Sequence, residues 1–595
     1  MKFTLTNVLV KAICVFISMI FFFYLPVEGQ QKPAHPGIDA KQNGTIAFFL
    51  SGDAVLQENH DSWAVASSDF DNDGDIDLFV PARSIYSISK LLLNDGEGQF
   101  ESVHQDFFEE NASSTNGAVW GDFDNDGQAD LFICRGGNAS NLMLTLADES
   151  IQEVSINPML SNDFGNQLAA SYIDVNNDGA LDLFMSNFDQ FVQNRLFLGD
   201  GAGGFERHEF TRAGLETSFS VSSAWQDFDL DGRIDLIVCN TNATENFLYR
   251  NIGNGHFERI QDQAISTLSA SSVGASWGDY DNDGDPDLFI ANSGNQNNHL
   301  FRNDHGQFTR ILGANLVNNG GHSHGSVWAD LDNDGWLDLY VCNDQGQPNI
   351  LYRNNQNGTF SKMENFGGIQ NNAQAVLAAD FNADLKLDLF EVTRGNAPNA
   401  LLLNVSENNN RGVLIKLIGT HSNRSAIGAR LKLTATINGQ TLVQSRQVTA
   451  LSGGGVGGQS PLAQHFGLGD ASSIQSLEVH WPSGQVQTLS NLDITETATL
   501  NIVEPAGTPF SGMAFHDANE NCIMDEDETV IPNLSLNLLN GERTIVTNES
   551  GEFETFLEMG NYSYSLEANS LWEFNNCGQL PFFSINANSN SNGID

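Results

Sequence analysis

Basic residues are scarce in this chain: 26 Lys and Arg stand against 75 Asp and Glu, leaving a formal net charge of -49. Such a surface repels phosphate backbones and anionic lipid, which excludes nucleic acid and acidic membranes as partners and makes cations the natural counterpart. Cysteine is also sparse, at 6 residues, so no disulfide-dense scaffold is available. Helical periodicity is missing, and no apolar run beyond the first thirty residues is long enough to span a bilayer. What remains is ample for folding: of 595 residues, 40% are apolar and 10% aromatic, including 40 Phe, which excludes disorder and calls for several domains.

The opening "MKFTLTNVLVKAICVFISMIFFFYLPVEGQ" has Lys2 and Lys11 ahead of an apolar run from Ala12 to Leu25, then the small residues Val27 and Gly29. That is the pattern of a secretory signal, residues 1–29, and the mature chain is expected to be exported without membrane insertion. Cys14 lies inside the run, so a lipid-anchored start is not expected. Cys134, Cys239 and Cys342 each fall twelve residues after the first Asp of a repeated motif, where other copies carry Pro81, Ser186, Ala291 and Val392. A position that accepts only small or apolar residues reads as a packed strand end with a buried free thiol. Cys522 and Cys577 stand apart, and export makes a disulfide between them the expectation.

The motif itself is "DFDNDGDIDLFV" from Asp69, and it returns from Asp122, Asp174, Asp227, Asp279, Asp330 and Asp380, at steps of 53, 52, 53, 52, 51 and 50 residues. A fixed period of that size marks a repeat architecture. Within one period a strand of small residues ends in W-x-D (Trp120, Trp225, Trp277, Trp328), followed by the acidic loop and a "DLFI"-type run. An Asn/Gly-rich turn, a strand such as "HLFRN", a tight turn such as "DHGQ" and a strand such as "FTRI" complete it. Four short strands per period predict an all-β chain built on a seven-bladed propeller spanning residues 30–410. The seventh copy lacks its last strand, and "QNGTIAFFL" (Gln42 to Leu50) resembles the sixth copy's "QNGTFSKM", so the N-terminal strand is expected to close the ring.

Five carboxylates in nine positions repel one another unless a cation sits among them. Calcium takes six to eight oxygens, and carboxylates at positions 1, 3, 5 and 9, a carbonyl at 7 and a sharp turn at Gly 6 meet most of that need. The first loop supplies Asp69, Asp71, Asp73 and Asp77, with Asp75 at position 7. The next ones supply Asp122, Asp124, Asp126 and Asp130; Asp174, Asn176, Asp178 and Asp182; and Asp227, Asp229, Asp231 and Asp235. Then come Asp279, Asp281, Asp283 and Asp287, with Asp285 at position 7, and Asp330, Asp332, Asp334 and Asp338. The seventh loop, Asp380, Asn382, Asp384 and Asp388, has Leu385 in place of Gly and Lys386 beside it, so it is not expected to fill. A further candidate in the tail uses Asp517, Asn519, Asn521, Asp525 and Glu528, with the carbonyl of Ile523. The predicted cofactor is Ca2+.

The repeats resemble the FG-GAP and VCBS repeats of integrin-alpha-type propellers. The following stretch, 411–504, carries "SNRSAIGA", "HFGLG" and "WPSG" and resembles the ASPIC/UnbV domain of secreted, cartilage-acidic-protein-like proteins, a resemblance that implies extracellular calcium binding. Residues 505–511 read as a linker, and 512–595 resemble a Cna-B/SdrD-like adhesin module, a small β-sandwich. "GGHSHG" around His322 and His324 reads as a solvated Gly-rich loop, and "LSGGGVGGQS" lacks the Lys and strand-to-helix setting of a phosphate cradle. Ser460 and His465 lack a nucleophile elbow.

The resulting expectation is a secreted, calcium-binding, non-catalytic adhesion or ligand-binding protein whose partner is a glycan or an extracellular protein. The alternatives are an extracellular polysaccharide lyase or hydrolase on the same scaffold, and a structural spacer. The partner is expected on the face opposite the acidic loops, at Asn/Gly-rich turns such as "NFDQFVQN" and "NSGNQNN", with Phe188 and Phe191 as stacking surfaces.

Overall fold

The computed structural model describes residues 46–585 outside 85–86, 104–114, 137–140, 146–149, 155–164, 210, 365, 367–371, 451–457, 496–498, 507, 514, 517–528, 531–534, 539–542, 548–551, 558–559 and 567–581. The expected signal segment, the tail calcium loop and both Cys522 and Cys577 therefore lie outside the described residues.

Each period folds as an antiparallel four-stranded meander, and seven of them follow one another as blades of a propeller. In the fifth, Ser272–Gly278 runs along the axis and pairs with Asp287–Asn292, and His299–Asp304 and Gln307–Ile311 follow outward. The second strands, such as Asp287–Asn292, are buried along their whole length because a neighbouring blade covers each face, which is why they read as unbroken apolar runs rather than alternating ones. The first strands crowd the axis and need small residues. A Cβ on Gly117 would lie 2.5 Å from the Leu168 carbonyl oxygen, and one on Gly278 2.8 Å from the Trp328 ring. The tryptophans of W-x-D fill what is left: Trp328 stacks on Tyr280 at 5.8 Å and Trp225 meets Phe184 edge-on at 5.4 Å.

Ring closure follows the expected route. Phe48–Leu50 adds to the seventh blade by pairing with Ala400–Asn404, so the last sheet draws strands from both ends of the propeller. Blades are also stapled by an Asn at the end of the third strand, whose Nδ2 donates to a loop carbonyl of the preceding blade: Asn303 to Phe228 O at 2.7 Å, Asn354 to Tyr280 O at 2.8 Å, Asn404 to Leu331 O at 2.8 Å. The closing seam uses the same device, Asn94 to Phe381 O at 3.1 Å. The third and fourth blades are joined more tightly, because Asp182–Gln193 extends to pair with Thr217–Gln226.

Cys134, Cys239 and Cys342 are buried free thiols, as their repeat position predicts. Beyond the ring, two sheets pack into a second β module. Gln464–Gly469, Arg411–Ile418 and Thr499–Val503 form one, the last two strands parallel, and Gln440–Gln447, Arg430–Ile437, Ser473–His480 and Val486–Asp493 form the other. Val413, Ile415, Leu433, Phe466, Leu477 and Val479 are buried between them. In the tail, Thr508–Met513 starts inside the stretch read as a linker, because it pairs with Glu552–Leu557. Ser535–Leu538, Arg543–Val546, Gly560–Leu566 and Phe582–Ile585 make a separate sheet.

Candidate metal centres and the module that covers them

Every acidic loop turns by the same device. Position 6 takes a left-handed conformation, with φ of 103° at Gly74, 98° at Gly284 and 92° at Gly335, and the seventh loop forces Leu385 to 62°. Position 4 is left-handed in all seven loops as well, at Asn72, Asn125, Asn177, Leu230, Asn282, Asn333 and Ala383. Sequence reasoning passed over that position, although its asparagines were the signal. Four of the five asparagines also bind the next loop: Asn125 donates to Gly179 O at 3.2 Å, Asn177 to Gly232 O at 3.2 Å, Asn282 to Gly335 O at 3.0 Å and Asn333 to Leu385 O at 2.9 Å.

The turns bring the predicted carboxylates together. One oxygen each of Asp69, Asp71 and Asp73 lies within 4.8 Å of the others, and the same holds for Asp122, Asp124 and Asp130, for Asp227, Asp229 and Asp235, and for Asp279, Asp281 and Asp287. Buried carboxylate oxygens of Asp122, Asp229, Asp281 and Asp332 have no hydrogen-bond partner. Burial drives the protons on: Asp122 is pushed up to about 6, Asp77 to about 7, and Asp130, Asp174 and Asp279 to about 8. Orphaned, desolvated carboxylate oxygens at this spacing fit a hard divalent cation, and calcium's high coordination number suits the dense oxygen set.

Position 9 carries a second duty. In each blade its two oxygens accept backbone N–H groups, one from the loop's second residue and one from the end of the third strand. Asp235 takes Phe228 N at 3.2 Å and Asn251 N at 2.8 Å, and Asp388 takes Phe381 N at 3.0 Å and Asn404 N. The ninth Asp therefore ties the loop to the strand even before a metal is considered.

The loops differ in the cations the chain itself offers. Arg250 pairs with Asp229 at 2.8 Å, Arg233 with Asp231, Arg353 with Asp332 at 2.6 Å and Asp334 at 3.4 Å, and Lys386 with Asp384 at 3.5 Å. Among the described residues no such ion pair reaches the third loop, Asp174 to Asp182. In the fifth, His305 bonds the Asp285 side chain at 2.6 Å rather than a position expected to offer its carboxylate.

The C-terminal module sits directly on these loops. Lys416 Nζ lies 3.2 Å from Asp69, Arg424 Nε 3.8 Å from Asp122, and Asn423 Nδ2 3.5 Å from Asp174, and the Asp227 N–H donates to Gln447 Oε1 at 2.9 Å. Arg446, buried, faces Asp279 and Asp330. Gly467 approaches so closely that a Cβ there would lie 1.9 Å from Asp330 Oδ2. Glu504 shapes the contact loop: although burial works against its charge, the Ser483 hydroxyl and the backbone N–H groups of Thr420, His421 and Ser422 hold its pKa low.

The module also closes the axis. Gln459 exchanges two hydrogen bonds with the backbone of Trp120, at 2.6 and 2.9 Å, and its N–H donates to Val65 O at 2.8 Å. Between this plug and the tryptophans remains a cavity of about 130 Å³, lined by Trp225, Trp277, Trp328, Arg446, Ser460 and His465. Ser460 and His465 thus share a wall, but His465 Nε2 faces the Leu385 carbonyl at 3.2 Å instead of a carboxylate.

On the opposite face two expectations change. His324, expected in a solvated loop, is 13% exposed at its side chain, with its Nε2 3.6 Å from Asp344 Oδ2. Several loop amides expected to meet a partner are spent on the fold: Asn194, Asn298 and Asn349 side chains accept the N–H groups of Asn187, Asn292 and Asn343 at 2.8 to 2.9 Å. Phe188 packs against Phe219 and the axial cluster, whereas Phe191 is 81% exposed. Of a further turn expected on this face, "RGGNAS" (Arg135 to Ser140), residues 137–140 lie outside the described ones.

Comparison with known proteins agrees with this division. The FG-GAP-like repeat model matches residues 69–133, 174–238, 227–290, 279–341 and 330–391, and the ASPIC and UnbV model matches 419–509. The chain is 23% identical over 528 residues to cartilage acidic protein 1 of Xenopus tropicalis, covering 78% of each. It is 22% identical over 544 residues to the Mus musculus protein of that name, covering 81% of this chain and 79% of the relative. Among solved structures, the BP39L lectin from Burkholderia pseudomallei superposes with a TM-score of 0.42 at 12% identity, over 59% of this chain and 98% of the lectin. The chain thus carries FG-GAP-like repeats along its propeller, followed by an ASPIC and UnbV domain.

Proposed function

We propose that this is an exported, calcium-stabilised binding protein without catalytic activity, in which the metals hold the scaffold and an extracellular glycan or protein is taken up elsewhere. The observation that carries this reading is the covered loop face. The metal loops are contacted by Lys416, Asn423, Arg424, Arg446, Gln447 and Gly467, so the face that carries them is already engaged by another part of this chain. A cation held where two parts of one chain meet supports a fold rather than a reaction. Among the described residues no helix is long and apolar enough to cross a membrane.

The test is a screen of the calcium-loaded full chain against immobilised glycans and extracellular proteins, repeated in chelator. Binding that needs the folded ring and survives loss of the Phe191 side chain or of the outer loop amides supports an axial site. A chain that binds nothing in either panel refutes the reading. A second reading, an enzyme acting on polysaccharides, draws on the buried Asp344 with the half-buried His324 and Arg394 against it. Chain cleavage of a polysaccharide lost in His324→Gln would favour it.

A further inference from the structure

One repeat position behaves unlike the rest. The residue six places before the first Asp of each loop is Leu168, Val221 and Val273 in the third to fifth blades, and Trp63, Asn116, His324 and Gln374 in the others. In the second to seventh blades it sits at a register shift between the first and second strands, for example between Ser220 and Ser222, Ser272 and Gly274, and Ala373 and Ala375. A bulge re-aims the extra side chain. Here it aims them at the axis: Leu168, Val221 and Val273 form one apolar cluster, against which Trp63 and Phe188 pack. This ring is the channel mouth on the face away from the metal loops and from the module that covers them.

The mouth is two-sided. Across from the apolar arc, Arg83 lies over the Trp63 ring with its guanidinium carbon 3.3 Å from the centroid, and the Asp61 carboxylate, which accepts the Gly395 N–H, acts on its charge from nearby. Arg394 is held at 2.7 Å by Asp344, which is 1% exposed and whose Oδ1 has no partner. His324 Nδ1 and Gln374 Oε1 are likewise buried and unpartnered. Burial, the largest influence, keeps His324 neutral, with its pKa pushed down to about 4, so the positive charge here belongs to the arginines. Buried polar atoms without partners carry a desolvation cost that a ligand's own groups can remove.

We propose that this mouth binds a uronate-type acidic saccharide. The carboxylate of one sugar residue meets Arg83, its hydroxyls donate to Asp344 Oδ1 and Gln374 Oε1, and the C–H face of the ring lies over Leu168, Val221 and Val273. In a chain with only 26 Lys and Arg, two arginines meet at this mouth, Arg394 paired with Asp344 and Arg83 near Asp61, and an incoming carboxylate competes with those two acids for them. The proposal rests on the reading of the chain as a binding protein and names the ligand class of that site.

Calorimetry of the calcium-loaded full chain with an oligogalacturonide and an oligoglucuronide tests it, alongside the same oligosaccharides with their carboxylates reduced to alcohols and an oligoglutamate. Binding of at least one uronide is expected, with at least a tenfold loss in Arg83→Gln and in Val221→Asp, no binding of the reduced sugars, and unchanged melting temperature and calcium content. Should Arg83→Gln lower the melting temperature, Val221→Asp and Gln374→Leu decide. Equal binding by wild type and both variants overturns the site while the binding-protein reading stands. Binding of oligoglutamate but of no uronide overturns the saccharide and assigns the mouth to protein. Failure of every uronide overturns the proposal, and only failure of the wider screen overturns the reading beneath it.

Discussion

Stripping divalent cations from the folded chain would leave oxygens of Asp279, Asp281 and Asp287 within 4.8 Å of one another. At an effective dielectric near ~20, each ionised pair at that separation costs about 3.5 kcal/mol, so three pairs approach ~10 kcal/mol in one loop. That is comparable to the whole stability of an ordinary domain. The metal-free fold escapes by holding protons. Burial pushes Asp279 up to about 8 even though Arg446 partly offsets it, Asp281 goes to about 6, and Asp287 lies well above the usual carboxylate range.

A carboxyl whose folded pKa lies above its unfolded value near ~4 contributes stability that is complete below that value and lost as pH rises through the folded pKa. The metal-free chain should therefore weaken from about pH 4 up to about pH 8, the upper end set by Asp174 and Asp279. Calcium needs the ionised forms, so its affinity moves the other way and rises with pH. Scanning calorimetry of the full chain in calcium and in chelator, at about pH 5.5 and 8, reads both trends. The gap between the two melting temperatures is expected to widen at the higher pH. An equal gap at both, or a chelated chain that melts higher at pH 8, refutes the reasoning.

Asp283→Ala should remove one bound calcium by native mass spectrometry, whereas Asp384→Ala should change little, because Lys386 already pairs with Asp384 and Leu385 replaces the turn glycine; equal losses would refute that ranking. Asn303→Ala deletes three buried hydrogen bonds, to Phe228 O and Pro286 O and from Gly306 N, and should cost about 3 kcal/mol in urea unfolding; an unchanged midpoint would show that this staple carries no load. Gly467→Ala places a methyl against Asp330, so the 411–504 module should undock and the 405–410 connection should become sensitive to protease; resistance equal to wild type would mean the contact is loose. Cys134, Cys239 and Cys342 are pushed up by burial and should react with a thiol reagent only in denaturant, and fast native labelling of any of them would contradict their packing.

The blades, the loop turns and the ring closure were legible because each is a local rule stated seven times. A carboxylate at position 1, a left-handed residue at 6 and an apolar run after 9 recur at a fixed step, so a chance resemblance in one copy is corrected by the others. The double use of the ninth Asp was not legible, since its partners Phe228 N and Asn251 N are backbone groups that leave no side-chain signature. His324 was misread for the opposite reason: "GGHSHG" has loop composition, but the second His begins a first strand and is carried inward by the bulge.

The module over the metal loops was hidden by a mismatch of symmetry. A ring of near-identical loops meets one asymmetric domain, so each loop is touched by a different residue type: Lys416 at Asp69, Ser425 at Asp122, Asn423 at Asp174 and Gln447 at Asp227, between 220 and 347 residues apart in sequence. No period connects such pairs. The axial mouth shows the complementary case. Loop and strand positions repeat because folding demands the same residue in every blade, whereas the position six before each loop runs Trp, Asn, Leu, Val, Val, His and Gln although the backbone bulges there in six of the seven copies. Fold requirements would have made that ring uniform. Its division into an apolar arc and a polar arc is what a single bound molecule with two unlike faces requires, and in a propeller the axis is the one place where all seven blades can act on the same molecule.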